Sequence, residues 1–285
     1  MQEIFSLLLA SSGKTLRLGS GSDFIISEHS GFEAPTCSVS LSANVQLDGA
    51  VVVDKKLLPR TLSFSCYCLS PDNALLSRNQ LINFFNPQHS GVLTATIGSV
   101  SRKISYELLS FTFTDKNVAA PPSFSVSLIC PSPFWQDTAE FSKNMAGIVG
   151  MFSFPLVIPP NGLALSYREL LQEAVVTNPG SREVGLNVIF RAERGSVTDP
   201  VLYNISRGCY FKVNITLQQG DVLSFCTVPG KKRVELNGVN AIRYIDRGSS
   251  FFGISPGETL LKYDAAVGKQ NLDVFPCFTP EYLGI

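Results

Sequence analysis

The sequence is poor in the side chains that most often carry chemistry. Charged residues make up only 16% of its 285 residues, histidine occurs twice, at His29 and His89, and tryptophan occurs once, at Trp135. Globular domains usually have about a quarter charged residues, so this low fraction suggests that other molecules cover much of the surface. Lys plus Arg and Asp plus Glu both number 23, which gives no net charge. That balance argues against a dedicated nucleic-acid binder, which normally carries a basic stripe.

Motifs that would indicate catalysis are also missing. His29 and His89 lie in Ser/Gly-rich surroundings without zinc-ligand spacing, and there is no Gly-x-Ser-x-Gly elbow. Spacing does not test for a triad assembled in space. The stretch LGSGSD, residues 18–23, lacks the Lys-Ser/Thr ending of a phosphate loop and predicts a turn. We therefore expect no enzyme activity, no metal and no cofactor.

Membrane and export signals are absent as well. No segment approaches the roughly 18 uncharged apolar residues of a membrane span. The start, MQEIFSLLLASS, has an acidic Glu3 where a signal peptide carries basic residues, so it predicts a first strand. The seven cysteines include no Cys-x-x-Cys pair, and we expect buried, reduced thiols.

The patterns that are present predict a mainly β protein with two domains. Residues 1–137 are expected to form a β-sandwich with one helix near residues 73–85 and a protruding hairpin. In KISYELLSFTFT, residues 103–114, the apolar face switches parity, which predicts a β-bulge. Residues 138–165, rich in Pro and Gly, predict an extended linker. Short strands and frequent turns over residues 166–285 indicate a second sandwich or jelly roll.

Two places stand out as candidate functional residues. Residues 44–60 have an Asp48-Gly49 turn signal and apolar arms, which predicts either an ordinary connecting hairpin or an arm that reaches a neighbouring subunit. The arm residues would be Val51, Val52, Val53, Leu57 and Leu58. The pair Phe134 and Trp135 follows a core strand and is expected to plug the first core, the alternative being a surface that stacks on a sugar or a base.

Four stretches in order carry a family resemblance: FSVSLICPSPFWQD, GDVLSFCTVPGKKRVELNGVNAIRYI, FFGISPGETLLKYD and the final EYLGI. Together they resemble the distal tail protein family of long-tailed phages. The resemblance implies a ring-forming domain of six copies and a galectin-like second domain that projects outward. It also places the hairpin near Asp48-Gly49 where the family often has its inter-subunit arm.

The resemblance implies partners and a location too. The ring would join the tail tube protein to the tail-associated lysin or baseplate hub, with a receptor-binding protein as a further partner. DNA would pass through without specific binding, and the protein would be assembled in the bacterial cytoplasm and found in the virion tail tip, of a phage or a prophage. Two alternatives stay open: a carbohydrate-binding module for host cell-wall glycans, and the equivalent baseplate part of a contractile tail or tailocin.

Overall fold

The computed structural model describes residues 5–43, 48–68, 74–114, 122–142, 144–145, 147–150, 166–169 and 173–285. It divides into two compact units. Unit 1 comprises Met1–Thr138 and Glu281–Ile285, and unit 2 comprises Ala139–Pro280. The mainly β fold expected from the sequence is confirmed. Among the described residues, no helix is long and apolar enough to cross a membrane.

The unit boundaries differ from the sequence expectation at two places. The last five residues, predicted in the outer domain, belong to unit 1. From Ala139 onward the predicted linker belongs to unit 2, because residues 141–142 pair with a strand there and Met145 lies in its core. Both differences come from backbone pairing between distant residues, which a local pattern does not reveal. Residues 151–165 of the predicted linker lie outside the described residues.

Unit 1 contains eleven described strands and one helix. The strands are β1 (Phe5–Ser11), β2 (Lys14–Gly19), β3 (Phe24–Ser30), β4 (Cys37–Ala43), β5 (Ala50–Leu57), β6 (Arg60–Cys68), β7 (Gly91–Ile97), β8 (Val100–Thr114), β9 (Ser123–Cys130), β10 (Trp135–Asp137) and, from the end of the chain, β26 (Glu281–Tyr282); the helix is α1 (Ala74–Phe84). The helix agrees with the one predicted near residues 73–85.

 Ten of the eleven strands, β1 to β10, come before residue 138, and β26 follows the whole of unit 2 in the chain.

The strands of unit 1 form an antiparallel arrangement in the order β2-β1-β7-β8-β9-β6-β3. Strand β10 adds to the first half of β8, and β26 adds to β10. Side chains alternate between the two faces of β6: Leu62, Phe64 and Cys66 point inward and are buried, whereas the intervening serines are partly exposed. Strands β4 and β5 pair with each other in a separate two-stranded sheet.

The predicted bulge lies in β8 and lets this long strand serve two neighbours. Its first half, up to Tyr106, pairs with β7, and its second half, from Glu107, pairs with β9. The register shifts between Leu108 and Ser110, so Leu109 is the extra residue. The sequence placed Leu109 on the apolar face, but its side chain is 60% exposed. A bulged residue is left out of the ladder, which accounts for the difference.

The core of unit 1 is one apolar cluster closed by aromatic rings. Trp135 is fully buried and stacks on Phe32 with ring centroids 5.7 Å apart. Phe85, directly after α1, stacks on Phe111 in the second half of β8, with ring centroids 5.0 Å apart. The other fully buried large side chains in this core are Phe124, Leu7, Leu9, Leu18, Leu62 and Leu93.

Unit 2 consists of short antiparallel strands. They are β11 (Phe141–Ser142), β12 (Gly147–Gly150), β13 (Ser166–Glu169), β14 (Glu173–Asn178), β15 (Val184–Gly185), β16 (Asn187–Ala192), β17 (Val197–Asn204), β18 (Cys209–Lys212), β19 (Thr216–Leu217), β20 (Val222–Cys226), β21 (Arg233–Leu236), β22 (Val239–Asn240), β23 (Gly253–Ile254), β24 (Gly257–Val267) and β25 (Leu272–Phe278). Short 3-10 turns cover Ile205–Arg207, Ile242–Tyr244 and Lys269–Asn271.

Two sheets enclose the core of unit 2. One has the order β11-β25-β16-β20-β21-β22, and the other has the order β14-β24-β17-β18, with β19 added to β17. Phe211 from the second sheet stacks on Phe225 from the first, with centroids 4.1 Å apart, so the inner faces meet there. An Asn237-Gly238 turn, one of the turns expected in this half of the chain, joins β21 to β22, and both residues have positive φ, 50° and 81°. Asn and Gly are the residues that tolerate this backbone.

We predict that the ring at position 135 carries much of the stability of unit 1. Trp135→Ala should lower the free energy of unfolding by about 3–5 kcal/mol, the range for emptying a large aromatic site. Trp135→Phe should cost clearly less, because a ring still meets Phe32 and the buried indole Nε1, which has no hydrogen-bond partner among the described residues, is removed. Urea unfolding followed by circular dichroism measures both. Equal losses for the two variants would contradict the prediction.

Candidate functional site: the arm and its root

The two-stranded sheet of β4 and β5 forms an exposed ribbon, here called the arm. Every residue of β4 and β5 is exposed except Leu57, which is half-buried. The two strands are in register from Cys37 opposite Leu57 to Ala43 opposite Ala50, with a shift between Ser40 and Leu41. A free two-stranded ribbon is only marginally stable in water. The arm therefore gains from a surface on which it can lie.

One face of the arm, here called the apolar face, carries Val39, Leu41 and Val52 together with Lys55, which lies opposite Val39. The other, here called the polar face, carries the serines of β4 and also Val51, which lies opposite Ser42. Leu41 is 62% exposed and lies opposite Val52, and Val39 lies two residues before Leu41 on the same strand face. Ser38 and Ser40 alternate with them on the opposite face. Contiguous exposed apolar side chains on a soluble protein mark an interaction surface.

The residues nominated from the sequence all lie in or beside the arm. Val51, Val52 and Val53 are 59%, 47% and 68% exposed, Leu57 is half-buried and Leu58 is 38% exposed. The sequence missed the partner strand β4, and with it Val39 and Leu41, because SVSLSA resembles any half-buried strand. Residues 44–47 of the predicted hairpin lie outside the described residues.

The arm is joined to strand β3 of unit 1 by a short segment, residues 31–36, here called the arm root. Gly31 has a φ of 87°, and a Cβ there would collide with the carbonyl oxygen of Thr61. Only glycine therefore permits this close approach of two backbones. At the far end of the root, the N–H of Leu58 donates to the carbonyl of Thr36 at 2.9 Å and closes the base of the arm.

A buried arginine holds the arm root. Arg60 is 3% exposed, and its guanidinium donates to the carbonyls of Gly31 and Glu33, both at 2.6 Å. It also donates to the carbonyl of Pro133 at 3.0 Å and to that of Leu283. Burial lowers the pKa of the guanidinium, whereas Cys130 and Glu33 act to raise it. Arginine stays charged in proteins, so these carbonyls compensate a buried positive charge.

The second nominated pair lies next to this arginine. Trp135 is fully buried, with the Arg60 guanidinium carbon 5.9 Å from its ring centroid, and Phe134 is half-buried. The stacking partner of Trp135 is Phe32, which belongs to the arm root. The indole ring thus packs against the root from inside the core.

Other candidates from the sequence have structural surroundings. His29 packs on Phe5 and Phe32, with ring centroids 4.5 and 5.4 Å away. Residues 18–19 end β2, and residues 20–23 form the turn between β2 and β3. Burial raises the pKa of the Cys66 and Cys130 thiols to about 12, so both stay protonated near neutral pH. Within the described ranges, no group of three or more His, Cys, Asp or Glu could hold a metal ion.

Not every thiol is buried as the sequence suggested. None of the seven cysteines, all of which lie in the described ranges, forms a disulfide; Cys37 at the base of the arm is exposed and Cys209 is half-buried. Cys37 is exposed because both faces of the two-stranded arm meet solvent.

Unit 2 presents one cluster of aromatic, carboxylate and amide groups. Tyr203 and Tyr210 are opposite each other on β17 and β18, with ring centroids 6.0 Å apart. The Tyr210 hydroxyl donates to Asp246 at 3.0 Å, and Asn214 and the N–H of Gly248 donate to the same carboxylate at 3.4 and 3.0 Å. These hydrogen bonds lower the pKa of Asp246, with the Gly248 N–H contributing most. The cluster pins a loop to the sheet.

Comparison with known proteins identifies the class. Residues 180–282 match the family model of the siphovirus-type tail component, C-terminal domain. The crystal structure of SPP1 Dit, described as a paradigm of the hub adsorption apparatus of phages that infect Gram-positive bacteria, has a TM-score of 0.67 at 15% identity over 97% of this chain and 99% of that one. No curated protein sequence matches the chain.

Two baseplate structures show the same fold with lower similarity. The phage p2 baseplate in its activated conformation with Ca matches with a TM-score of 0.52 at 9% identity, over 97% of this chain and 98% of that chain. The form with Sr matches at 0.53 and 8%, over 96% and 97%. Residues 180–282 thus match the C-terminal domain of siphovirus-type tail components, and the chain has the fold of a distal tail protein, which confirms the resemblance expected from the sequence. These matches support a structural role in a phage tail or baseplate.

We predict that Arg60 is indispensable to the arm root. Arg60→Met should lower the stability of unit 1 by more than about 3 kcal/mol, because several buried carbonyls lose their donor at once and each costs about 1–3 kcal/mol. Arg17→Met, at an exposed arginine of β2, is the matched control and should stay within about 0.5 kcal/mol of the original protein. Thermal unfolding by calorimetry measures both. A loss for Arg60→Met no larger than for the control would refute this assignment.

Proposed function

We propose that the chain is a structural tail protein that closes into a ring, most simply a hexamer, through its arm. The ring joins the tail tube to the baseplate or tail-tip hub and acts as a docking platform without catalysing a reaction. The observation that carries the proposal is the arm itself, a ribbon whose apolar face is exposed in the single chain. The family match over residues 180–282 supplies the setting, a siphovirus-type tail.

The geometry of the arm suits ring closure. A ring requires a heterologous contact, in which one patch meets a different patch on the next copy. A ribbon that leaves its own sandwich supplies the first patch. The outer face of the neighbouring copy supplies the second patch. Because the sequence has few charged residues, covering such a face removes few charges from water. A neutral chain also suits a channel for DNA, because a strongly basic lumen would hold phosphates.

We predict that a charge on the apolar face of the arm prevents ring formation. Leu41→Glu should weaken self-association by at least about tenfold, because an unpaired carboxylate resists burial against apolar groups. Ser38→Glu, on the polar face and opposite Lys56, is the matched control and should leave association unchanged. Multi-angle light scattering over a concentration series, alone and with the tail tube protein, measures the result. Unchanged association of Leu41→Glu would place the interface elsewhere.

The alternative function, glycan binding by unit 2, has one specific observation in its favour. Tyr203, Tyr210, Asn214 and Asp246 combine rings, an amide and a carboxylate, the groups that sugar sites use. The same carboxylate, however, already accepts three hydrogen bonds from within unit 2. We therefore assign the cluster to loop anchoring.

Glycan binding can be tested directly. We predict no saturable binding of host wall polysaccharide at millimolar or better affinity, measured by calorimetry on the purified chain. Binding that is saturable, and that Tyr210→Ala abolishes while the fold of unit 2 is preserved, would favour the carbohydrate-binding module over a docking platform.

A further inference from the structure

The last five residues return to unit 1 after the chain has passed through the whole of unit 2. In this return segment, residues 281–285, Tyr282 pairs with Trp135 and Glu281 pairs with Gln136. The N–H of Ile285 donates to the carbonyl of Phe32 at 3.1 Å, and its side chain packs against the core of unit 1. The segment therefore adds a strand and part of the core to a unit that is otherwise made from residues up to 138.

Two arginines fasten the return segment by its backbone. Arg60 of β6 donates to the carbonyl of Leu283, and Arg102 of β8 donates to that of Gly284. The Arg102 guanidinium carbon also lies 3.6 Å from the ring centroid of Tyr282. Charged donors make stronger hydrogen bonds than neutral ones, so the segment is held by more than strand pairing.

The same groups hold the arm root. The Arg60 guanidinium that donates to the carbonyl of Leu283 also donates to the carbonyls of Gly31 and Glu33. Ile285 bonds the backbone of Phe32, and the space beside Gly284 is so narrow that a Cβ there would lie 2.9 Å from the Glu33 carbonyl oxygen. The arm root and the return segment are thus two layers of one site, with Arg60 and Trp135 beneath them.

From this shared site we infer that the return segment is a latch that fixes the arm root, and through it the arm, in position. Docking of the segment and ordering of the root stabilise each other, because linkage between two sites is reciprocal. Since residues 281–285 follow unit 2 in the chain, the arm is held in place only after unit 2 has been made. The consequence for ring assembly rests on the proposed function, whereas the latch itself does not.

The test uses Trp135, the single tryptophan of the chain, as the reporter. A chain that stops after Pro280 should show red-shifted Trp emission, several-fold stronger quenching by acrylamide and faster amide exchange over residues 31–43. Exchange over residues 184–278 should stay as in the full chain. A synthetic peptide of residues 279–285 added in trans should restore the emission and the exchange protection, whereas a scrambled peptide should not.

A milder pair of variants keeps the test valid if the truncated chain does not fold. Gly284→Val should push the return segment off the Glu33 backbone and raise quenching and root exchange, while Leu283→Ala, at a side chain that is 39% exposed, is the matched control and should change neither. Unchanged Trp135 emission and unchanged exchange at the root in both the truncated chain and Gly284→Val would overturn the latch.

The outcome for assembly is separate. If the latch readouts change as expected but self-association does not, and Leu41→Glu is also without effect, the proposed ring contact fails while the latch stands. If Leu41→Glu prevents association but truncation after Pro280 leaves association and the arm root unchanged, the latch fails while the ring contact stands.

Discussion

The buried guanidinium of Arg60 is the constraint on which the rest of unit 1 depends. A charge inside a protein is tolerated only where polar groups replace water, and here the carbonyls of Gly31, Glu33, Pro133 and Leu283 do so. These acceptors come from three places far apart in the sequence. Each must reach its position for the charge to be satisfied, so the arginine makes their folding mutually dependent.

The two units differ in the elements that complete their cores. Unit 2 encloses its core between two sheets. Its surface is also held by side-chain contacts such as the Glu183 carboxylate, which accepts hydrogen bonds from both terminal guanidinium nitrogens of Arg207 at 2.6 Å. Unit 1 borrows a strand from the end of the chain and directs an apolar ribbon away from its core. A unit built in this way keeps exposed apolar surface that another molecule can cover.

Sequence patterns predicted the features that depend on near neighbours. Helix α1 agrees with the helix predicted near residues 73–85, and the bulge in β8 followed from the parity switch at Leu108 and Leu109. Arg60 gave no signal, because an arginine at the start of a strand is ordinarily exposed. The return segment gave none either, since its partners Trp135 and Phe32 lie about 150 and 250 residues away. Long-range pairing has no local periodicity.

The chemistry of the arm root also explains why such a site leaves little trace in a sequence. Every acceptor of Arg60 is a main-chain carbonyl, so the side chains at Glu33, Pro133 and Leu283 can change without loss of the hydrogen bonds. Gly31 is the exception, because a Cβ there collides with the Thr61 backbone. The site thus constrains one arginine and one glycine and otherwise only the path of the backbone. A fold organised by contacts of this kind can persist while most of its side chains are replaced.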